Sequence, residues 1–212
     1  MIANMNARTQ RAGIVASATV GRRVWLQAAG VVGFALLTAA GAHLVVPVPG
    51  SPVPITLQTL FVLLAGITLG PRLGALSMGF YLLLGMTGYH VFAAASWGQG
   101  NIFGATGGYL IGFVLAQPVI GALSRRSNSP RASLRRLSMT SSLLAAALAG
   151  NLIIFTIGLV WLQLWMNTAP VQTLAMGLWP FVPGLVLKTA AAVAGGHALQ
   201  PLARRIRTSC GA

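Results

Sequence analysis

The sequence predicts an all-α membrane protein with six transmembrane helices and with both termini in the cytoplasm. Three observations support this fold class. The mean hydropathy is +0.79 and only 7% of the 212 residues are charged, whereas soluble domains carry about a quarter charged residues. Several long uncharged runs are typical of membrane spans. The basic residues cluster in the short segments between these runs.

The predicted domain organisation places one transmembrane domain, 24–203, between a basic N-terminal arm, 1–23, and a basic tail, 204–212. The first span, 24–46, contains Ala35 and Ala39. Small residues four apart share one helix face and let another helix backbone approach closely. The pair therefore predicts either packing within the protein or a docking face for a partner helix, and the residues alone leave both open.

Four prolines between positions 47 and 54 cannot continue a helix, so they predict an ordered extended loop on the outer side. The second span is 57–69, with Gln58 at its start, and the third is 73–86. The segment 87–106 is rich in glycine and predicts a re-entrant or capping loop. Its aromatic residues form either an interfacial belt or the wall of a pocket: Tyr89, Phe92 and Trp97.

The fourth span, 107–123, begins with Gly-Gly followed by Tyr109, and the fifth is 139–166 with Asn151 near its middle. An asparagine in an apolar span is costly unless it is hydrogen-bonded. Asn151 therefore predicts either a helix-to-helix hydrogen bond or a ligand contact. A polar loop is expected over 167–178, and the sixth span runs from 179 to about 202.

The arginines support this topology. All thirteen fall on predicted inside segments, which are the N-terminal arm, the turn at Arg72, the 124–138 loop and the C-terminal tail. No basic residue falls on the three outside loops, in agreement with the positive-inside rule. The formal charge of +14 is therefore assigned to topology and to contacts with anionic lipid, not to nucleic acid.

The chain contains no Asp or Glu. This excludes the usual ATP-hydrolysing site, paired-carboxylate hydrolysis and a carboxylate proton relay. The sequence therefore predicts that the chain is not an enzyme and needs no cofactor, and that a partner chain drives any uphill transport. Three histidines at separate positions predict no metal site, and the single cysteine, Cys210, excludes an internal disulfide.

Lys188 is the only lysine, and it lies in the outer half of the sixth span, at the end of WPFVPGLVLK (179–188). A buried ammonium needs water and an anion, or it loses its proton. Lys188 either extends to the outer interface or binds a ligand. Pro180 and Pro183 predict a non-helical start with a cavity, which favours the second interpretation. The expected ligand is small and otherwise apolar, and carries a carboxylate or another anion.

Five stretches together resemble the BioY family, the biotin-binding S components of energy-coupling-factor (ECF) transporters. They are SPVPITLQTLFVLLAGITLGPRLGAL (51–76), YLLLGMTGYHVFA (81–93), GATGGYLIGF (104–113), GNLIIFTIGLVWL (150–162) and PFVPGLVLK (180–188). The resemblance implies a six-helix fold in the bacterial plasma (inner) membrane, with biotin held near the outer face under two loops. It also implies a transmembrane coupling subunit and two ATPase subunits as partners.

The resemblance also implies roles for single residues. Lys188 matches a ligand-contacting lysine, and small residues on the first helix contact the coupling subunit, which favours docking through Ala35 and Ala39. The predicted substrate-binding residues are Lys188, Asn151, Gln58, Tyr109 and Phe92.

Three positions depart from the family motifs, namely Leu185 in place of an Asp, Ala105 in place of a Pro and Phe155 in place of a Tyr. The missing Asp removes an acceptor, and an unpaired ligand N–H costs about 1–3 kcal/mol. The alternative function is therefore a solitary or facilitated carrier of biotin or of another small apolar carboxylate. An intramembrane enzyme and an assembly protein are the alternatives from other classes.

Overall fold

The computed structural model describes the backbone of residues 2–93, 99–125 and 132–207, and within these ranges it describes the side chains except those of 2–20, 99, 101 and 132–136. Trp97, Cys210, Arg126 and Arg131 lie outside the described residues. The described elements are α1 (Ile2–His43), β1 (Val45–Val46), β2 (Ile55–Thr56), α2 (Gln58–Leu69), α3 (Pro71–Met86), α4 (Gln99–Ile102), α5 (Gly107–Leu123), α6 (Ala132–Met166), α7 (Pro170–Gly177), a 3-10 turn (Trp179–Phe181), α8 (Val182–Ala198) and α9 (Gln200–Arg207).

Three stretches of the described chain are long and apolar enough to cross a membrane: Gly21–His43, Leu137–Met166 and Pro170–Ala198. The last of these includes the 3-10 turn as well as α7 and α8. Two shorter apolar helices are α2 and α5. The 12 residues of α2 are about 18 Å long, less than the roughly 30 Å hydrocarbon core of a bilayer.

The predicted spans agree best with the structure at α2 and α5, whose bounds differ from 57–69 and 107–123 by no more than one residue. Helix α1 begins at Ile2, so the predicted N-terminal arm has a helical backbone. The same helix ends at His43 and not at 46, because Val45 and Val46 pair with a second strand. Helix α6 begins at Ala132 and not at 139.

Two predictions near the C-terminal third are wrong. The expected polar loop 167–178 contains helix α7, which begins at Pro170. The expected non-helical start at Pro180 and Pro183 is a 3-10 turn followed directly by α8, with Pro183 in its first turn. The physical reason is the same in both places. The first N–H groups of a helix have no partner within the helix, so proline fits there without loss.

The proline-rich segment after α1 is extended, as predicted. Its two strands form an antiparallel hairpin in which Val45 pairs with Thr56 and Val46 pairs with Ile55. The connecting loop contains Gly50 at φ 76°, a left-handed conformation that suits glycine. The hairpin therefore holds the segment before α2 in a defined position over one end of the helices.

Helix α2 lies at the centre of the bundle. Nine of its 12 residues are buried, and it contacts α1, α3, α5 and α8. Helices α5 and α6 pack along each other most extensively. Gly108 and Gly112, four residues apart on α5, lie directly against Trp161 and Ile154 of α6. A side chain at either glycine would prevent this close approach.

Ala35 and Ala39 lie inside the protein, with 0% and 6% of their surfaces exposed. The Ser77 hydroxyl of α3 donates to the Val31 carbonyl one turn earlier on α1 over 2.7 Å, and so holds the two helices together. Small residues at 35 and 39 therefore serve packing within the protein. Docking of a partner helix at these two residues stays a prediction.

Arg207 lies at the end of the helix bundle that is opposite the hairpin. Its guanidinium donates to the carbonyls of Ile67 and Thr68, in the last turn of α2, and to the Ser124 hydroxyl. Burial, and then the nearby Arg125, lower the pKa of Arg207 to about 10, which leaves it charged at neutral pH. A cation is favourable there, because the terminal carbonyls of a helix carry partial negative charge.

Candidate functional site

A cavity of about 50 Å³ lies between the hairpin, the segment after α3, and helices α2, α5, α6 and α8. Four of the five predicted binding residues line it, namely Lys188, Gln58, Tyr109 and Phe92. The remaining wall is mostly apolar and includes Val53, Pro54, Leu110, Phe113, Phe155 and Phe181. The cavity thus combines a few polar groups with an aromatic wall, as small-molecule sites generally do.

Lys188 reaches the cavity from α8 and is half-buried. Its ammonium donates to the backbone carbonyl of Thr56, at 2.9 Å between Nζ and O. Lys188 and Thr56 also line a second, more open groove of about 340 Å³ between the hairpin and α8. The ammonium therefore lies between the cavity and this groove. The Thr56 carbonyl is a neutral acceptor, so it binds the Lys188 ammonium without neutralising its charge.

Gln58, the first residue of α2, is buried and hydrogen-bonded at both ends of its amide. The Thr56 hydroxyl donates to Oε1 over 2.9 Å, and Nε2 donates to the Tyr81 hydroxyl. The Tyr81 hydroxyl in turn donates to the Val91 carbonyl over 3.0 Å. This hydrogen-bonded chain connects the hairpin to the segment after α3.

Aromatic rings from three elements form the apolar wall. Tyr109 and Phe155 meet edge to face with ring centroids 5.7 Å apart, and Phe155 meets Phe181 at 6.0 Å. The Tyr109 hydroxyl donates to the Gly177 carbonyl over 2.9 Å, so it is satisfied within the protein. Edge-to-face pairs add about 0.5–1.5 kcal/mol to the burial of the rings, which gives this wall a defined shape.

Phe92 is a wall residue, the second of the two predicted alternatives. Only 1% of its surface is exposed, and its ring meets Tyr81 edge to face at a centroid distance of 5.6 Å. Gly85 lies directly against the Phe92 ring. Tyr89, in contrast, is 64% exposed. Tyr89 and Phe92 differ in exposure because the chain packs against α3 only from Val91 onward.

Asn151 forms the helix-to-helix hydrogen bond that was one of its two predicted roles. Its side-chain nitrogen donates to the Thr189 hydroxyl over 2.9 Å, and both residues are buried. The bond joins α6 to α8 one residue beyond Lys188. Asn151 is not among the described residues that line the cavity, so the structure does not bring it together with the other four.

A model of the BioY family matches residues 12–205. The chain belongs to the BioY family. The probable biotin transporter BioY of Pyrococcus horikoshii is 38% identical over 167 residues, which cover 79% of this chain and 91% of that relative. The biotin transporter BioY of Thermotoga maritima is 36% identical over 149 residues, covering 70% and 80%. The predicted resemblance is thereby confirmed.

A crystal structure of the S-component for biotin from an ECF-type ABC transporter has the same fold as this BioY chain. The TM-score is 0.71 at 25% sequence identity, and the match covers 85% of this chain and 93% of the other. BioY relatives are named as transporters, so membership in the family also confirms the prediction that the chain is not an enzyme.

Sequence reasoning missed four polar members of this BioY site. Thr56 binds both Lys188 and Gln58, Thr59 and Thr106 line the cavity, and Tyr81 binds Gln58 from outside the wall. A signal for Thr56 was present, because it precedes Gln58 by only two residues and its hydroxyl can form a local hydrogen bond with that side chain. Tyr81 carried no local signal, since its partners Gln58 and Val91 are distant in the sequence.

Proposed function

We propose that this BioY chain is the membrane subunit that binds biotin with high affinity for an ATP-driven ECF importer. The observation that carries the proposal is the position of Lys188, whose ammonium lies at the wall of an aromatic cavity in a chain without any carboxylate side chain. No side chain of the protein can neutralise the Lys188 ammonium at this wall, so we assign that role to an anionic group of the ligand. Biotin carries one carboxylate on an otherwise mostly apolar body.

The proposed contacts divide the ligand between two kinds of wall. Lys188 binds the carboxylate through a donor of the ammonium other than the one bound to the Thr56 carbonyl, because an ammonium has three donors. Gln58 binds the ureido ring, and the rings of Tyr109 and Phe92 enclose the apolar part. Asn151 holds α6 against α8, next to Lys188, through its bond to Thr189.

Binding requires the cavity to widen. Its volume is about 50 Å³, whereas pockets that enclose small molecules are about 300–1,000 Å³. Two wall segments are the proposed moving parts, the hairpin β1–β2 and the segment after α3 that carries Phe92. They are the two loops that the BioY resemblance implies as covers over the ligand.

We also propose six membrane spans with both termini inside, in the bacterial plasma membrane, formed by α1, α2, α3, α5, α6 and α8. Two observations support this topology. Arg125, at the end of α5, lies against Gly70, and Arg207 binds the end of α2. Arginines from separate inside segments therefore gather at one end of the bundle, and the hairpin with Lys188 lies at the other.

The proposed partners are a transmembrane coupling subunit and two ATPase subunits. The acid-free sequence supports this requirement, because the chain has no residue to place in a Walker-B position. Uptake into cells measured with and without the coupling subunits tests it. Equal uptake in both cases would favour the solitary carrier instead.

A specific observation favours a second candidate, which is another small apolar carboxylate in place of biotin. Leu185 stands where the BioY motif has an Asp, and it packs with the core on the same side of α8 as Lys188, three residues later. An apolar residue there provides no acceptor for a ureido N–H. A ligand without N–H groups loses nothing by this change.

The decisive experiment is to purify the protein in detergent without added ligand and to identify bound small molecules by mass spectrometry. We expect biotin at a ratio approaching one per protein. Added biotin should also raise the melting temperature of ligand-stripped protein, because a ligand that binds only the folded state stabilises it. Lipoate and octanoate are the comparison ligands. A shift with either of them and none with biotin would favour the second candidate.

A further inference from the structure

Tyr81 lies outside the cavity wall, yet its hydroxyl contacts a residue that belongs to the wall. The side chain is fully buried on α3. Its oxygen accepts a hydrogen bond from Nε2 of Gln58, and its proton goes to the carbonyl of Val91 at 3.0 Å. Its ring also supports Phe92 edge to face. One buried residue thus contacts both the polar and the aromatic part of the site.

The direction of this hydrogen-bonded chain is determined by its last member. A backbone carbonyl accepts hydrogen bonds and cannot donate them, so Val91 takes the single proton of the Tyr81 hydroxyl. The Tyr81 oxygen is then left as an acceptor towards Gln58. Only the amide nitrogen of Gln58 can face it, and the amide oxygen must point the other way, towards Thr56.

Thr56 cannot determine this orientation alone. A threonine hydroxyl donates or accepts equally well, so it would satisfy either end of the Gln58 amide. A side-chain amide has nearly the same shape in both orientations, which differ only in where its donors and acceptors lie. The contact from Tyr81 is therefore what makes one orientation of Gln58 different from the other.

We propose that Tyr81 is a positioning residue that sets which face of the Gln58 amide is presented to the ligand. The inference rests on the proposed function of the cavity and deepens it. After its bonds to Tyr81 and Thr56, Gln58 retains one N–H and one lone pair for the cavity. Their positions are fixed, so they select a ligand group that has a donor and an acceptor in the matching order, as a cyclic urea has.

The test is a double-mutant cycle on biotin affinity. Tyr81→Phe keeps the ring and its contact with Phe92, and removes only the hydroxyl. We expect it to weaken biotin binding about tenfold in the wild-type background and less than twofold when Gln58 is already Ala, because a residue that acts through Gln58 has no effect without it. An equal loss in both backgrounds, or no loss in the first, would overturn the positioning role.

Tyr109→Phe is the matched control. Tyr109 is also a buried tyrosine whose hydroxyl donates to a backbone carbonyl, but that carbonyl belongs to Gly177, away from Gln58. Its effect should be the same with and without Gln58→Ala. Wild-type protein that fails to bind biotin at all would reject the proposed function, a result distinct from a failed cycle.

A second measurement needs no tyrosine variant and no ligand. Hydrogen exchange of the Gln58 side-chain amide, followed by NMR in protein labelled at glutamine nitrogens, should show one slowly exchanging proton, the one bound to the buried Tyr81 hydroxyl. The Gln58→Ala spectrum assigns the signal. Equally fast exchange of both amide protons would overturn a fixed orientation.

Discussion

The ammonium of Lys188 and the backbone carbonyl of Thr56 are 2.9 Å apart, and this contact joins α8 to the hairpin across 132 positions of the sequence. The carbonyl satisfies one donor of the ammonium and leaves its charge without a counter-ion. An ammonium has three donors, so it can bind a carboxylate while it keeps its bond to this carbonyl. Lys188 is therefore expected to contact the ligand and the hairpin together.

Lys188→Met removes the charge and keeps most of the side-chain length. We expect it to weaken biotin binding about 10- to 100-fold, because hydrogen bonds to charged groups contribute about 1.5–3 kcal/mol. Biotinamide, which lacks the carboxylate, should bind both proteins with similar affinity. Isothermal titration with both ligands measures the difference. An equal loss for biotin and biotinamide would show that Lys188 acts through packing and not through its charge.

A disulfide between the hairpin and α8 should block binding reversibly. A Cβ placed on Gly184 would lie 3.9 Å from the Cγ2 methyl of Ile55, so the two positions are neighbours across the contact between the hairpin and α8. We expect Ile55→Cys with Gly184→Cys, in a Cys210→Ser background, to bind biotin slowly or not at all when oxidised and normally after reduction. Association rates measured by stopped flow compare the two states. The single-cysteine variants are the controls, and rapid binding by the oxidised pair would mean that the hairpin need not move.

Gly85→Ala should distort the wall of the cavity. An added methyl group at Gly85 would overlap the Phe92 ring, whereas at Gly79, on the same helix, a methyl group meets nothing within 4 Å. We expect Gly85→Ala to lower biotin affinity and the melting temperature together. Gly79→Ala, the matched control, should leave affinity unchanged and raise stability by up to about 1 kcal/mol through helix propensity. Wild-type affinity in Gly85→Ala would show that Phe92 can move aside without cost.

Asn151→Ala should act mainly on stability. It leaves the Thr189 hydroxyl without its partner between α6 and α8, which costs about 1–3 kcal/mol in a buried site. A cycle with Thr189→Val, followed by thermal denaturation in detergent, should show strong coupling between the two positions. Additive losses of stability would contradict the importance of this bond. A loss of biotin affinity without a loss of stability would instead favour the direct ligand contact predicted from the BioY resemblance.

Much of the fold was predictable because it depends on local properties of the chain. Apolar runs bounded by Gly-Pro and by Gly-Gly predicted α2 and α5 almost to the residue, and the dense prolines predicted the extended segment after α1. The misplaced boundaries have a local cause as well. The polarity of 167–178 predicted a loop, and Pro183 predicted a non-helical start, but Pro170 and Pro183 each lie in the first turn of a helix.

The sequence predicted only part of the membership of the site. The lone lysine, the missing acids and the BioY motifs are present in any copy of the sequence, and they were sufficient to select Lys188, Gln58, Tyr109 and Phe92. Whether a buried small or polar residue faces a cavity or a neighbouring helix depends on contacts across many tens of residues. Tertiary packing therefore settled that Asn151 bonds to Thr189, that Ala35 and Ala39 face the core, and that Tyr81 holds Gln58.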